Sequence, residues 1–580
     1  MKETLLMRKN RKNVLSLTLV TAMILSLFSS AIVSAAPDHQ AKPSKPAAPT
    51  KIQSYVSAME PGWNLGNSLD AVGEDETAWG NPRITKELIQ QIAKQGYKSI
   101  RIPVTWEAHI GEAPDYTIDP AYMNRVQEVV NWALDANLYV MINLHHDSWR
   151  WISYMEKDHD HVLARYNAAW TQIANQFKNA SSKLMFESVN EPRFTEGGTT
   201  DTAVSYRLLD ELNTSFHKIV RDSGGKNKTR PLVLPTLHTS SAQADLDALT
   251  QTITKLNDPN IIATVHYYGF WPFSVNIAGY TKFNDEVQKD ITDTFDRVYD
   301  AFVAKGIPVI VGEYGLLGFD QHTGVIEQGE KLKFFEFIGQ YLRQKKMTTM
   351  LWDNGQHFSR TNFTWSDPDL YNTMKASWKG RSSTAESDLV HLKKGAAIQD
   401  QTIKLNLNGN TFKSLAHGSK KLAKGKDYTI RGDVLTLKSS LLTRLTASGN
   451  LGVNAKLTAK FNKGANWNLN IITYDTPVLS DVTGTTESFA IPTTFNGNQL
   501  ATMEATYASG GNAGPQNWTS FKEFSYTFSP DYSRNVIELK PNFFNETNDG
   551  EVILKFHFWS GDVITYKITK SGTSVVGKTS

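Results

Sequence analysis

Short apolar runs alternate with amphipathic stretches along the first two-thirds of the chain. Between Tyr55 and Ser377 the runs Gly62–Leu65, Ser99–Val104, Tyr139–Leu144, Lys183–Val189, Pro231–Leu234, Ile261–Val265, Pro308–Val311 and Thr348–Trp352 have the length and composition of buried strands. Helical patterns fill the gaps. Over Ile84–Gly96 the residues Ile84, Leu88 and Ile92 recur every four positions and Gly96 supplies a stop, while Pro120–Ala136 opens with Asp119 as cap and Pro120 in the first turn. Eight such alternations predict a (β/α)8 TIM barrel. The rival, an open doubly wound sheet, usually carries a glycine-rich phosphate loop after its first strand, and the sequence shows none.

After about Lys379 the helical period gives way to strict alternation. Ile403, Leu405 and Leu407 alternate with Lys404 and Asn406, Leu457, Ala459 and Phe461 repeat the pattern, and Asn408-Gly409, Gly425-Lys426 and Arg431-Gly432 mark turns. A second β segment begins near Thr476-Pro477. In it Val552, Leu554, Phe556 and Phe558 alternate before the turn Ser560-Gly561-Asp562 and the run Val563–Ile568. One large β domain is the alternative, but the length fits two all-β sandwiches, 381–475 and 476–580, behind a barrel at 53–380.

At the N-terminus Lys2, Arg8, Lys9, Arg11 and Lys12 precede the apolar stretch Val14 to Val33, and Val33-Ser34-Ala35 forms a small-residue cleavage site. This predicts a signal peptide over 1–35, a polar segment over 36–52, and a secreted, extracellular protein. A membrane anchor is the alternative, since the run approaches spanning length. The small-residue site and the Pro/Ala/Lys-rich stretch that follows favour cleavage, which leaves no membrane as partner.

Composition narrows the chemistry. The 580 residues include no cysteine, which excludes disulfides, thiolate nucleophiles and Cys-ligated metal sites. With 61 Lys+Arg against 58 Asp+Glu the net charge is +3, so no nucleic acid is expected as partner. The 14 Trp, 21 Tyr and 27 Phe supply flat faces that suit sugar rings, although large cores also consume aromatics.

Polar residues gather at the predicted strand ends: Arg101, His145-His146-Asp147, Asn190-Glu191, His266 with Tyr268, Glu313, and Trp352-Asp353-Asn354. Barrel enzymes build their sites there. Two carboxylates stand out because each follows an apolar run, Leu184-Met185-Phe186 before Glu191 and Val309-Ile310-Val311 before Glu313. Glycoside hydrolysis needs such a pair, one carboxyl protonated to release the leaving oxygen and one ionised to attack, about 5 Å apart when configuration is retained. An ion pair capping the barrel is the competing reading for either Glu. His145-His146-Asp147 could alternatively be a metal cluster, but a two-carboxylate mechanism needs neither metal nor cofactor.

Taken together, Gly62-Trp63-Asn64-Leu65-Gly66-Asn67, Ile100-Arg101-Ile102-Pro103-Val104, Asn143-Leu144-His145-His146-Asp147, Asn190-Glu191-Pro192, His266-Tyr267-Tyr268 and Gly312-Glu313-Tyr314-Gly315 resemble glycoside hydrolase family 5, most closely its subfamily 4 cellulases and xyloglucanases. The resemblance covers the whole first domain. It implies Glu191 as acid/base and Glu313 as nucleophile, Asn190 on the 2-hydroxyl, Arg101 and Tyr268 orienting Glu313, His145 and His266 lining the −1 subsite, His146 nearby with a less defined role, and Trp352 as the platform beneath the sugar. The tail resembles an immunoglobulin-like X2 module followed by a family 46 carbohydrate-binding module, a pairing similar to that of bacillar cellulases. Trp518 and Trp559 are candidate sugar platforms there, or core residues.

The reading that joins these observations is a monomeric endo-β-1,4-glucanase acting on cellulose-like glucans, with xyloglucan and mixed-linkage glucan such as lichenan as extensions. A β-mannanase of the same fold and a non-catalytic polysaccharide-binding protein are the alternatives.

Overall fold

The computed structural model describes residues 48–196 and 201–579; the signal-peptide reading falls outside them. Eight parallel strands close into a barrel: β1 Gly62–Asn64, β2 Ser99–Ile102, β3 Tyr139–Asn143, β4 Leu184–Glu187, β5 Leu232–Pro235, β6 Ile261–Tyr267, β7 Val309–Tyr314 and β8 Thr348–Leu351. Each predicted run overlaps its strand, with edges differing by up to three residues; β5, β6 and β7 extend past the predicted ends. The helix predicted over Ile84–Gly96 runs Lys86–Gln95. Ile84 is buried ahead of the Thr85 cap, and Gly96 ends the helix in the left-handed region. Asp119 caps Pro120–Asp135 as expected.

The lower barrel is filled by Met141, Met185, Val233, Ile262, Ile310 and Met350, and the helix Lys51–Ala58 covers them with Ile52 and Val56. Above this apolar plug the inward positions turn polar: Asn64 on β1, Arg101 on β2, Asn143 on β3 and Glu187 on β4, all buried. A core that becomes polar at the C-terminal ends of its strands is a barrel opening into a site.

The tail forms two pairs of sheets. In the first, a five-stranded sheet ordered Leu389–Lys393, Trp467–Tyr474, Gly452–Phe461, Phe412–His417, Lys420–Lys421 accompanies a four-stranded one, Tyr428–Arg431, Val434–Leu437, Gln401–Asn406, Thr384–Ala385. In the second, Val478–Leu479, Phe489–Thr494, Val536–Leu539, Phe528–Asp531 accompany Val482–Thr485, Ser574–Thr579, Val563–Ser571, Gly550–Phe558, Leu500–Tyr507. Val552, Leu554, Phe556 and Phe558 all face inward, as their alternation requires. Leu407 departs from its pattern: the strand ends at Asn406 and the side chain is only half-buried.

The first β unit is fastened to the barrel. Arg381 grips Glu336 on the barrel helix Gln328–Gln344 through two hydrogen bonds of 2.7 and 2.8 Å, and the Ser382 N–H donates to the same carboxylate at 2.9 Å. On the strand side, Lys456 and Asn468 both donate to Asp369 at 2.9 Å. The second β unit also touches the barrel: Asn276 Nδ2 donates to the Ala501 carbonyl at 2.9 Å and to Val325 at 3.0 Å.

Because Glu336 is buried, Arg381→Ala strands a carboxylate with a single N–H partner. A loss of about 2–3 kcal/mol is expected, at the lower end for a buried pair since Arg381 is partly exposed. It should appear as a lower midpoint in urea followed by tryptophan fluorescence; an unchanged midpoint would show that this seam contributes nothing.

Candidate active site

Arg101 lies at the centre of the polar layer with no solvent exposure. Its Nε donates to Glu187 Oε2 at 2.9 Å, Nη1 to Glu313 Oε1 at 2.7 Å and to Asn64 Oδ1 at 3.1 Å, and Nη2 to Asn190 Oδ1 at 2.7 Å. Burial opposes its charge, but Glu187 and Glu313 outweigh burial and hold it firmly cationic.

Glu313 is in β7 itself, two residues beyond the predicted strand end. β6 and β7 pair Val265 with Val311 and then His266 with Glu313, so Gly312 is an extra residue on β7. The bulge re-aims the strand and brings Glu313 to Arg101. Gly312 is needed because a Cβ there would come within 2.8 Å of Thr264 Oγ1 and 3.0 Å of His266 Nε2. Tyr268 donates to Glu313 Oε2 at 2.6 Å, and burial together with the Glu313 charge keeps the phenol protonated. Asp320 is a third carboxyl near this corner; burial and the charges of Asp353 and Glu313 push it well above the usual range.

Glu191 corrects one inference. The residue that ends the run Leu184-Met185-Phe186 is Glu187, whereas Glu191 stands four positions later, on the loop past β4, with φ +39°. A non-glycine residue in that left-handed region stores strain of the kind found at functional sites. His266 Nδ1 lies 3.0 Å from Glu191 Oε1 and 3.6 Å from Glu313 Oε2, and Arg193 lies 3.8 Å from Glu191 Oε2. One carboxylate oxygen each of Glu191 and Glu313, and one His266 nitrogen, fall within 4.8 Å of one another. Burial pushes the Glu191 carboxyl up, but the His266 hydrogen bond and the charges of His266, Arg193 and Arg101 outweigh it, so it rests below its ordinary value.

The remaining predicted residues surround this pair. Asn190 accepts from Arg101 through Oδ1, which leaves its N–H2 free to donate. His145 is buried and stacks at 5.9 Å on Trp352, with an interplanar angle of 5°. Burial, aided by charge on His146, Arg101 and His266, holds His145 well below its ordinary pKa, hence neutral. Its Nδ1 accepts from Asn143 Nδ2 at 3.1 Å, so the proton is on Nε2, 3.9 Å from Glu313. Trp352 is half-buried, and Gly66 makes room for it: a Cβ at Gly66 would meet the indole at 2.9 Å. His146 turns the other way, accepting from Trp149 Nε1 at 2.9 Å and facing Asp70 at 3.7 Å. The alternative metal set His145-His146-Asp147 is not assembled, because Asp147 accepts from the Trp106 N–H and the Trp151 indole beneath the site.

The sequence reading passed over Glu187 and Arg193, and gave Asn64 and Asn143 no role beyond their place in the quoted motifs. Glu187 and Asn143 form one chain with the site: Asn143 Nδ2 donates to Glu187 Oε2 at 2.8 Å and touches His145. An acidic residue directly after Leu184-Met185-Phe186 was the signal for Glu187.

Residues 65–358 match the model of the cellulase family, glycosyl hydrolase family 5. The chain belongs to glycosyl hydrolase family 5. Behind the family 5 domain, residues 384–471 match carbohydrate binding domain X2 and residues 475–578 match a family 46 carbohydrate binding domain. The chain is 66% identical to Endoglucanase B of Paenibacillus lautus over 574 residues, 99% of this chain and 100% of that one. It is similar in structure to the full-length tri-modular endo-β-1,4-glucanase B of Bacillus halodurans, with TM-score 0.90, 57% identity, and coverage of 92% of this chain and 100% of that chain. A tri-modular subfamily 4 endo-β-1,4-glucanase of Bacillus licheniformis complexed with cellotetraose aligns with TM-score 0.77 at 33% identity, over 91% and 99% of the two chains.

Arg193 offers a direct test of the Glu191 environment. Its charge favours the Glu191 carboxylate, so Arg193→Ala should raise the Glu191 pKa and move the alkaline limb of kcat/KM to higher pH. Both side chains are about one-third exposed, so the displacement should shrink in high salt. A limb that stays in place or moves to lower pH would show that Glu191 does not set it.

Proposed function

We propose that the chain hydrolyses internal β-1,4-glucosidic bonds with retention of configuration, through Glu191 as acid/base and Glu313 as nucleophile. The observation that carries this reading is the pair of carboxylate oxygens within 4.8 Å at the mouth of the barrel, a separation suited to direct attack rather than to an interposed water. Their surroundings differ as the roles require. Glu313 is held by Arg101 and the Tyr268 hydroxyl, donors that favour a fixed carboxylate. Glu191 is one-third exposed beside His266 and Arg193.

In the first half-reaction Glu191 gives its proton to the glycosidic oxygen while Glu313 Oε attacks the anomeric carbon. The leaving chain departs with that proton and a glycosyl-enzyme remains. In the second, ionised Glu191 takes a proton from water, whose oxygen attacks the same carbon and frees Glu313, so two inversions give net retention. The free Asn190 N–H2 donates to the sugar 2-hydroxyl, Trp352 underlies the ring, and neutral His145 offers its Nε2 proton beside it. Cellulose-like glucans, xyloglucan and lichenan are the substrates. Such polymers cannot enter a cell, so we place the enzyme outside it, as a monomer freed of residues 1–35. Among the described residues no helix is long and apolar enough to cross a membrane.

The family 46 domain extends the binding surface. Trp518, 59% exposed, stands opposite Trp271, 43% exposed, at the start of the short helix Trp271–Ser274 after β6, with ring centroids 6.4 Å apart. A glucan leaving the cleft would cross both rings. Trp559 is half-buried, its N–H bonded to the Gln499 carbonyl.

Glu191→Gln and Glu313→Gln should each lower kcat/KM on carboxymethylcellulose by about 10³-fold or more with the fold retained. Wild-type rates in either folded variant would remove that residue from the mechanism. Azide should restore turnover of activated glycosides in Glu313→Gly with inverted product, and proton NMR of early wild-type product should show the β anomer; an α anomer would exclude a nucleophilic Glu313. Rates on carboxymethylcellulose, xyloglucan, lichenan and mannan separate this reading from a mannanase. Trp518→Ala should raise KM on xyloglucan about tenfold, the scale of one aromatic stack, and leave short aryl cello-oligosaccharides unaffected.

A further inference from the structure

An exposed tryptophan at a loop tip binds a chain only if the loop is held still. Beneath Trp518 the holding group is a lysine. Lys522 is fully buried. Its Nζ donates to the carbonyls of Thr519 at 2.8 Å, Pro515 at 2.9 Å and Gln516 at 3.4 Å. These three carbonyls bracket Trp518 in sequence, two before it and one after. An ammonium carries three N–H donors and no acceptor, so its hydrogens match the three oxygens.

The surroundings show that the charge is not there to pair with a carboxylate. Glu546 is the acidic group whose field reaches Lys522. Glu523, next in sequence, accepts from Gln516 Nε2 at 3.0 Å, and Glu504, on the strand Leu500–Tyr507, is occupied by Ser520 and His557. Burying an ammonium without a counter-charge is costly, and an apolar side chain of equal length would fill the space without that cost. What the ammonium adds is a directional grip on main-chain oxygens. On its other side Lys522 is tied to the barrel contact. Its N–H donates to Met503, Phe521 covers Gly279, and Phe524 donates its N–H to the Asn276 carbonyl. Lys522 therefore links the loop tip to the segment that docks on the barrel.

We propose that Lys522 is a positioning residue for polymer binding, its ammonium clamping residues 515–519 so that Trp518 faces Trp271. The proposal rests on the reading of Trp518 as a sugar platform. A neutral amine has two N–H groups and a lone pair, so one of the three carbonyls would face a lone pair instead of a donor. Burial lowers the Lys522 pKa from the ordinary 10.5 to about 8, with Glu546 opposing. Between those values the folded chain binds fewer protons than the unfolded one, so the lysine makes the fold more stable, not less, as pH rises. Weaker polymer binding in that window would therefore not be a symptom of unfolding.

The test compares full-length wild type, Lys522→Met, Trp518→Ala and the double variant on xyloglucan and on an aryl cello-oligosaccharide. At pH 6, Lys522→Met should raise KM on xyloglucan about five- to tenfold and leave the oligosaccharide constants unchanged, and the double variant should be no worse than Trp518→Ala. In wild type the ratio of polymer to oligosaccharide kcat/KM should fall as pH rises through about 8, and in Lys522→Met it should be flat. A wild-type KM in Lys522→Met, an additive loss in the double variant, or a flat wild-type ratio would each overturn the proposal. If Lys522→Met loses its near-ultraviolet dichroism, the wild-type pH series against Trp518→Ala decides alone. A normal polymer KM in Trp518→Ala would overturn the platform reading and the clamp with it, whereas a raised KM there beside an unaffected Lys522→Met would overturn only the clamp.

Discussion

The guanidinium of Arg101 has no contact with solvent, and the upper barrel is arranged around that fact. A buried cation is tolerated only when its charge and its donors are matched, and here two carboxylates and two amide oxygens match them. Each partner is thereby fixed. Glu313 and Asn190 are each held by a guanidinium nitrogen, and Glu187 holds Asn143, which holds the tautomer of His145. Removing the arginine would leave two carboxylates close together in a low-dielectric core. Glu187, which need not touch a sugar, is thus part of what makes the site possible.

A second constraint is positional. The three matched segments are joined by contacts rather than by tethers. Arg381 and Ser382 lock the start of the X2 unit to the barrel helix, Asp369 receives two donors from its sheet, and Asn276 of the barrel reaches the family 46 unit. The segment that joins the barrel to the X2 unit is itself folded: Ser382 and Ser383 are buried and Thr384–Ala385 is a strand. A binding surface held in this way has a fixed direction relative to the cleft, without the search a flexible linker imposes.

Much of this was legible in the sequence because strand and helix periodicity are written by burial, and burial dominates a barrel. The eight strands followed from the length and composition of short apolar runs, and most of the inward β positions in the tail from alternation. What periodicity could not carry was the register at strand ends. Gly312 adds one residue to β7 and the strand then continues through Tyr314, so Glu313 lies inside it; the run before Glu191 ends in a different glutamate, because the chain leaves β4 after Glu187. Partnership was equally hidden. Glu187, Asn64 and Arg193 look like ordinary polar residues until Arg101 and Glu191 are brought beside them by strands and loops distant in sequence. The two tail tryptophans divide for the same reason: Trp518 has a facing ring from the barrel, which no pattern within the tail could reveal.

The asymmetry between the two glutamates follows from their partners. In the roles proposed above, a nucleophile keeps one charge state until it reacts, so buried, permanent donors suit it, and Glu313 has a guanidinium and a phenol that burial keeps protonated. An acid/base must exchange a proton in each half-reaction, so it needs partners whose influence can change. Glu191 lies below its ordinary pKa because His266 and Arg193 favour its carboxylate against the effect of burial. Arg193 is about one-third exposed and its effect is screened by water, while His266 lies within reach of both carboxyls. A sugar entering between them displaces that water and deepens the burial of Glu191, the one influence that already pushes its pKa up. Under the proposed roles, the partners that favour the Glu191 carboxylate suit the base of the second half-reaction, and burial by a bound sugar suits the acid of the first.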